Sequence, residues 1–320
     1  MTTSTIRWGV LGYARIARMS FLPALARSGN ARLQAIATRG SDKLDAIRQE
    51  TGCGNVHASY EALIADPDVD AIYIPLPNSM HKPWTLKALA AGKHVLCEKP
   101  LGLDAAEARE MADAARAAQR LLMEAFMYRY TERSRKLKEI IDSGVLGSIR
   151  HVNAQFRFFL DRPNTIKVQP ELGGGALYDV GCYPINLLGL ITGRTPIAVH
   201  AEAEFDNGVD VNLSALFRYE DGLLATIHTG FNAFGRQGAE IIGTQGVLEV
   251  PDPFLDFRGH LSLHTREGTR LIPVVESDRY RGEVEDFSAA ILEGRQPLFG
   301  LDETIRNAEV LDRVAQALKR

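Results

Sequence analysis

Ile6-Arg7-Trp8-Gly9-Val10-Leu11-Gly12-Tyr13-Ala14-Arg15-Ile16-Ala17 is the stretch on which the fold turns. Ile6 to Leu11 is an apolar run of strand length, and from Ile16 to Ser28 the apolar residues recur at helical spacing. The turn between them sets Gly12, Ala14 and Ala17 against the three small positions of the dinucleotide pattern G-x-G-x-x-G/A. Glycine at the first position permits the tight turn. A small residue at the third lets helix and strand pack closely, and the helix N-terminus then faces a pyrophosphate. Ala14 departs from the pattern where glycine lets backbone approach phosphate, so its methyl displaces the pyrophosphate or shifts the loop. Taken alone, the turn is equally an ordinary strand-to-helix connection.

Further strand and helix signals alternate outward from this turn. Ala71–Ile74 is a short apolar run, and Leu33–Ala37, His94–Cys97 and Leu121–Ala125 also read as strands. Helical patterns fall near 44–50, 83–91 and 104–119. Gly92 stands where a C-cap glycine ends a helix, and Asp104 with Glu107 forms a capping box. Short strands buried on both faces and separated by helices predict a doubly wound parallel sheet with right-handed crossovers. The second half is strand-rich: 149–159, 198–205, 211–219, 223–231 and 239–250 read as strands, with Asp221-Gly222 as a hairpin turn. Helical patterns close the chain near 281–292 and 302–317. The expected architecture is an α/β Rossmann domain over 1–124, then an α+β domain with a large, mostly antiparallel open sheet over 125–320. The last helix is expected to pack back on the first domain.

The tip of the second strand reads Ala37-Thr38-Arg39-Gly40-Ser41. An NAD site usually carries an acid there for the ribose hydroxyls. Here a guanidinium and two hydroxyls stand instead, and these can bind a 2′-phosphate. On a Rossmann fold this favours NADP over NAD. Otherwise Arg39 is a solvated loop cation.

Composition excludes other classes. The 320 residues carry 37 Lys plus Arg against 40 Asp plus Glu, a net charge of −3. That balance argues against nucleic acid or an anionic membrane as partner. Val180–Gly193 is too short for a bilayer span and contains Pro184 and Asn186. Met1 to Arg7 shows no leader pattern. Cys53, Cys97 and Cys182 are widely spaced and odd in number, which fits reduced thiols in a cytoplasm. Gly92-Lys93 lacks the other P-loop residues, and no G-x-S-x-G occurs. His260 and His264 have no third ligand nearby, so no metal is expected.

Two more segments carry a resemblance. One is Pro77-Asn78-Ser79-Met80-His81 followed by Lys93-His94-Val95-Leu96-Cys97-Glu98-Lys99-Pro100. The other is Gly173-Gly174-Gly175-Ala176-Leu177-Tyr178-Asp179-Val180-Gly181-Cys182-Tyr183-Pro184. Together they resemble the Gfo/Idh/MocA oxidoreductase family, nearest to its glucose–fructose oxidoreductase, dimeric dihydrodiol dehydrogenase and NADP-dependent xylose dehydrogenase members. The resemblance runs nearly the whole chain. It implies Lys99 beside the nicotinamide, before a cis-Pro100, with Asn78 and His81 along the cofactor and Asp179 and Tyr183 in the substrate pocket. The expected cofactor residues are Gly12, Tyr13, Ala14, Arg15, Ile16, Thr38, Arg39, Pro77, Asn78, His81, Glu98 and Lys99. It also implies a homodimer or homotetramer through the C-terminal sheet.

Alcohol oxidation needs a base for the hydroxyl proton and a hydride acceptor. A Lys ammonium near a Tyr phenol favours phenolate, so Lys99, Tyr183 and Asp179 are the expected catalytic set. Asp179 would position a substrate hydroxyl or help hold Lys99. Read singly, Glu98-Lys99-Pro100 is also a solvated turn, Tyr183 a core tyrosine and Asp179 a helix cap. Phe126, Tyr128, Arg129, Phe156 and Arg162, together with Tyr130, Phe158, Phe159 and Lys167, would line a pocket for a sugar or dihydrodiol. They could equally be core or surface. The function expected is an NADP-dependent sugar, polyol or dihydrodiol oxidoreductase. A glycosidase that retains its NAD(P) and a non-catalytic NADP-binding protein stand as alternatives.

Overall fold

The structure, a computed structural model, describes residues 5–162 and 165–319, so the first four residues of the start read above for a leader lie outside it. The chain folds as two compact units. The first comprises Met1–Met127 with Asp278–Ile305, the second Tyr128–Ser277 with Arg306–Arg320.

The first unit holds six parallel strands: β1 (Ile6–Leu11), β2 (Ala31–Ala37), β3 (Asn55–His57), β4 (Ala71–Ile74), β5 (His94–Glu98) and β6 (Leu122–Ala125). Their spatial order is β3-β2-β1-β4-β5-β6, so chain direction across the sheet reverses between β1 and β4. Every residue of β4 and β6 is buried. That explains why β4 reads as an unbroken apolar run rather than an alternating one. The connections carry α1 (Leu22–Arg27), α2 (Leu44–Thr51), α3 (Tyr60–Ile64), α4 (His81–Ala90) and α5 (Ala105–Ala118). A π-helical turn, Ala17–Phe21, leads into α1. α4 starts ahead of the predicted Pro83, because the first turn of a helix tolerates proline. Asp104 accepts from the Glu107 N–H at 2.8 Å, and the Glu107 carboxylate reaches back to the Leu103 N–H at 2.9 Å.

The second unit holds α6 (Glu132–Asp142), β7 (Ile149–Phe159), α7 (Cys182–Thr192), β8 (Ala198–Asp206), β9 (Val209–Arg218), β10 (Leu224–Gly230), β11 (Asn232–Gly243), β12 (Gly246–Pro251), β13 (Gly259–Thr265) and β14 (Gly268–Val274). The eight strands order as β14-β13-β12-β11-β7-β10-β9-β8, antiparallel throughout except for the β7/β10 pair. Alternating burial along β9 shows one covered and one open face. The stretch read as one strand over 239–250 is two, broken at Thr244-Gln245 into the antiparallel pair β11/β12. The hairpin β13/β14, with His260 and His264, has no counterpart among the strands expected from sequence, nor does α6 among the helices. α6 is charged on most of its surface and buries only Arg133, Ser134, Leu137 and Ile140, too thin an apolar stripe to stand out.

Two helices follow: α8 (Arg279–Glu293) and α9 (Leu301–Ala317). The expected division at 124/125 assigns α8 to the later domain, whereas its packing places it with the Rossmann sheet. The physical reason is Trp8 on β1. Its indole is fully buried, 5.5 Å from the Phe21 ring and 5.7 Å from the Phe287 ring, and donates to Ser288 Oγ at 3.0 Å. Arg27 adds an ion pair to Asp278 and Asn30 a hydrogen bond to the Glu285 carbonyl. Phe287→Ala is therefore expected to cost ~3–5 kcal/mol in urea unfolding. A loss below ~1 kcal/mol, the scale of a single hydrogen bond, would show that α8 does not seal this core.

Candidate active site

The carboxyl ends of β1 and β2 meet at Gly12. Its N–H donates to the Ala37 carbonyl at 2.9 Å, and its φ of +110° is a backbone state that side chains rarely adopt. A Cβ there would lie 2.9 Å from Leu76 Cδ2. The Arg18 N–H bonds the Ala14 carbonyl at 3.1 Å, which leaves the N–H groups of Arg15, Ile16 and Ala17 without an intrahelical acceptor. Ala14 and Ile16 are half-buried and Arg15 is exposed. The Tyr13 side chain is engaged with α2 and the helix behind it. Arg18 lies 5.3 Å from its ring centre and pairs with Glu50 at 2.8 Å, while burial and then Glu50 push the Tyr13 hydroxyl pKa up. At the tip of β2, Thr38 is buried with its N–H on the His57 carbonyl, and Arg39 is exposed. Arg39 lies beside Tyr60, whose phenol pKa is raised by burial and partly offset by the Arg39 charge. Unpaired helix amides, a guanidinium and hydroxyls, with no carboxylate from 38 to 41, form a donor set that fits phosphate.

The ends of β4 and β5 are tied by His81. Pro77 opens a 3₁₀ turn over Asn78–Met80. His81, expected along the cofactor, is fully buried, with Nδ1 2.8 Å from the Pro100 carbonyl and Nε2 2.9 Å from the Leu76 carbonyl. Burial pushes its pKa down to about 4. A neutral imidazole donates from one nitrogen only, so the ring bonds one carbonyl and lies against the other. Its place is a clamp on two turns, with both nitrogens taken by main chain. The Lys99–Pro100 peptide is cis and Lys99 is half-buried. Glu98 accepts from the Tyr73 hydroxyl at 2.5 Å, and Phe21 stacks on Tyr73 at 3.8 Å.

Two buried carboxyls under this turn escape sequence reading. Glu124 on β6 accepts the Leu101 N–H at 2.9 Å, just past cis-Pro100. Burial drives its pKa up to about 8 despite that bond and the Lys99 charge. Glu283 on α8 is pushed well above the carboxylate range by burial and by the Glu98 charge. Nothing in a single Glu amid apolar neighbours separates such a group from an exposed one.

In the second unit, Asp179 and Tyr183 lie four residues apart along one helical stretch, formed by a π turn over Leu177–Gly181 and then α7. Asp179 forms an ion pair with Lys167, whose ammonium stands 5.6 Å from the Phe158 ring centre. Tyr183 is 6% exposed. Its ring neighbours are Phe156 at 5.3 Å, Phe254 at 5.5 Å and Tyr128 at 6.0 Å. Tyr128 is fully buried and donates to Asn186 Oδ1 at 2.5 Å, and Phe156 stacks on Phe254. Both rings, expected as pocket lining, are buried and pack beside Tyr183 and Phe254. Phe126 is likewise core, edge-on to Phe299 within the first unit. Arg129 reaches Asn186 Oδ1 at 3.4 Å, and Arg162 is exposed beside Asp161. Among the described residues no group of three His, Cys, Asp or Glu could hold a metal ion, and no helix is long and apolar enough to cross a membrane.

A parallel sheet with a phosphate-fitting turn at its switch point, joined in one chain to a large open sheet, defines a dinucleotide-binding protein. A family model described as an oxidoreductase family with an NAD-binding Rossmann fold matches 6–126, and a GFO/IDH/MocA C-terminal domain matches 134–249. The chain belongs to the Gfo/Idh/MocA oxidoreductase family. It is 35% identical to a D-xylose 1-dehydrogenase (NADP(+)) of Haloferax volcanii, covering 97% of this chain and 96% of the relative. It is 34% identical to a dTDP-3,4-didehydro-2,6-dideoxy-alpha-D-glucose 3-reductase of Streptomyces violaceoruber, over 99% and 96%. A 3-ketoreductase from Actinomadura kijaniata, solved in complex with NADP and TDP-benzene, superposes with a TM-score of 0.91 at 32% identity over 98% of both chains.

The Glu124 carboxyl gives a pH test. Its pKa rises from an ordinary 4.5 to about 8 on folding, so the native state holds a proton that the unfolded chain releases. Its stabilising contribution is complete below pH 4.5 and is lost as pH climbs to 8. Thermal unfolding of Glu124→Gln should therefore show a shallower decline across that window, with its largest gain over wild type at the alkaline end. Parallel profiles would show that Glu124 ionises normally.

Proposed function

We propose that this protein is an NADP-dependent oxidoreductase acting on a hydroxyl or carbonyl carbon of a sugar, polyol or related diol. The observation that carries the cofactor reading is the β2 tip, where Thr38-Arg39-Gly40-Ser41 offers a guanidinium and hydroxyls in place of an acid. The relatives named above, one an NADP-dependent sugar dehydrogenase and one solved with NADP, support it. The first unit binds the cofactor and the second binds the substrate. The Gly12 turn and the amides of Arg15, Ile16 and Ala17 hold the pyrophosphate. Arg39 and Thr38 hold the 2′-phosphate, and Pro77, Asn78 and Glu98 border the ribose and nicotinamide. When bound, the nicotinamide exchanges a hydride with the substrate carbon.

Tyr183 takes the hydroxyl proton in oxidation and returns it in reduction, with Lys99 as its acid–base partner. Asp179, held by Lys167, orients a substrate hydroxyl. The buried thiols Cys53, Cys97 and Cys182 suit a reducing cytoplasm, and the open face of the eight-stranded sheet suits a homo-oligomer. A panel of aldoses, polyols, trans-dihydrodiols and nucleotide-linked ketosugars, each assayed with NADP and NAD, tests the class. Substrate cleavage without net cofactor turnover would favour the glycosidase alternative instead.

Arg39→Ala should weaken NADP binding by ~1.5–3 kcal/mol, roughly tenfold to hundredfold, and leave NAD binding nearly unchanged. Equal losses for both cofactors, measured by titration, would place Arg39 outside the phosphate site.

Tyr183→Phe should lower kcat by ~10²–10⁴ with NADP binding intact. Lys99→Ala should also be severe, and the double variant little worse than the poorer single, since residues that act as a unit are not additive. Near-normal kcat in Tyr183→Phe would transfer the base role to Lys99.

A further inference from the structure

The glycine-rich turn before Asp179 gives up its own helix cap. The first main-chain bond of this helical stretch runs from the Asp179 N–H to the Gly175 carbonyl at 3.0 Å, so the N–H groups of Ala176, Leu177 and Tyr178 have no intrahelical acceptor. Gly175 stands at the capping position, where Ser, Thr, Asp or Asn would supply a local side-chain acceptor. Glycine is required there instead. Its φ is +112°, and a Cβ would collide with Asp210 Oδ1.

Asp210 fills the vacated role from β9. Its Oδ2 accepts the Leu177 N–H at 2.7 Å, and the Ala176 N–H also lies toward its carboxylate. The residue is 7% exposed, and burial outweighs these bonds enough to push its pKa up to about 6. A cap drawn from the turn itself would move with the turn. One drawn from β9 ties the helix start to the sheet. A second strap acts from the other side. The Lys167 carbonyl accepts the Gly175 N–H at 2.8 Å while the Lys167 ammonium pairs with Asp179.

We propose that Asp210 is a positioning residue, the cap from β9 that fixes how the helical stretch presents Asp179 and Tyr183. The proposal rests on the reading of Tyr183 as acid–base residue. Its partner Leu177 precedes Asp179 by two residues and Tyr183 by six on that stretch. Releasing the cap frees the stretch to rotate about the Lys167 strap, and misplacement of about 1 Å at reacting groups is enough to cost ~10²-fold in rate.

The test compares full-length wild type, Asp210→Ala and Asp210→Asn. Asp210→Ala should keep its cofactor affinity, measured by NADP titration, and lose kcat roughly tenfold to hundredfold. The Ala176 and Leu177 amides should exchange hydrogen faster in the absence of substrate. Asp210→Asn keeps one carbonyl acceptor for the Leu177 N–H and should recover part of kcat. The proposal is overturned if folded Asp210→Ala retains wild-type kcat, whether or not the two amides lose protection. Matched losses of kcat and NADP binding would also overturn it, since general destabilisation predicts both. The amide exchange needs no assumption about catalysis, so failure of the acid–base reading shows separately, as normal kcat in Tyr183→Phe.

Discussion

The requirement that β1 stay dry on both faces organises the first unit. β1 is an inner strand of a parallel sheet, with β2 on one side and β4 on the other. Helices must therefore cover it above and below. Trp8 shows how complete that covering is. It is enclosed by Phe21 from the helix after the phosphate turn and by Phe287 from a helix near the other end of the chain. With the strand so fixed, the turn at its end has little freedom. Gly12 is pinned to β2 through Ala37 and backed by Leu76. A helix end with unpaired amides then opens where the strand order reverses, the place in such sheets where ligands bind.

Buried carboxyls do the fine positioning in both units. Glu124 holds the main chain just after Lys99-Pro100, and Asp210 holds the main chain just before Asp179. In each case a group that would be cheaper in water is kept inside, with a raised pKa as the consequence. What it gains is a bond to an N–H that no helix or sheet ladder satisfies. Each carboxyl acts on the backbone that carries a proposed reactive side chain rather than on that side chain. Both helical stretches that follow a functional turn, Ala17–Phe21 and Leu177–Gly181, also contain a π turn, a distortion found often at functional sites.

Some of the site is legible in the chain alone, because its residues act through local geometry. The small residues at 12, 14 and 17 and the missing acid at the β2 tip need only a strand followed by a helix to have meaning. Asp179 and Tyr183 share a helical face by spacing alone. The aromatic residues are less legible. Tyr128 and Phe156 look like a sugar-binding wall in sequence, yet a ring that fills a core and a ring that lines a pocket have the same composition. Only the folded chain shows that both rings pack against Phe254, far along the sequence. His81 illustrates the same limit, since a motif histidine and a buried clamp differ only in what surrounds the ring.

The sequence by itself determined the alternation of strands and helices in the first unit, the glycine turn after β1 and the family to which the chain belongs. These follow from periodicity, from glycine's access to positive φ and from short motifs, all expressed within a few residues. The tertiary structure decided the membership of α8 in the first unit, the split of 239–250 into two strands, and the partners Glu124, Asp210 and Lys167. The reason is physical. Such contacts join residues distant along the chain, and the burial that makes a carboxyl or a ring matter exists only after both sides of the contact have closed over it.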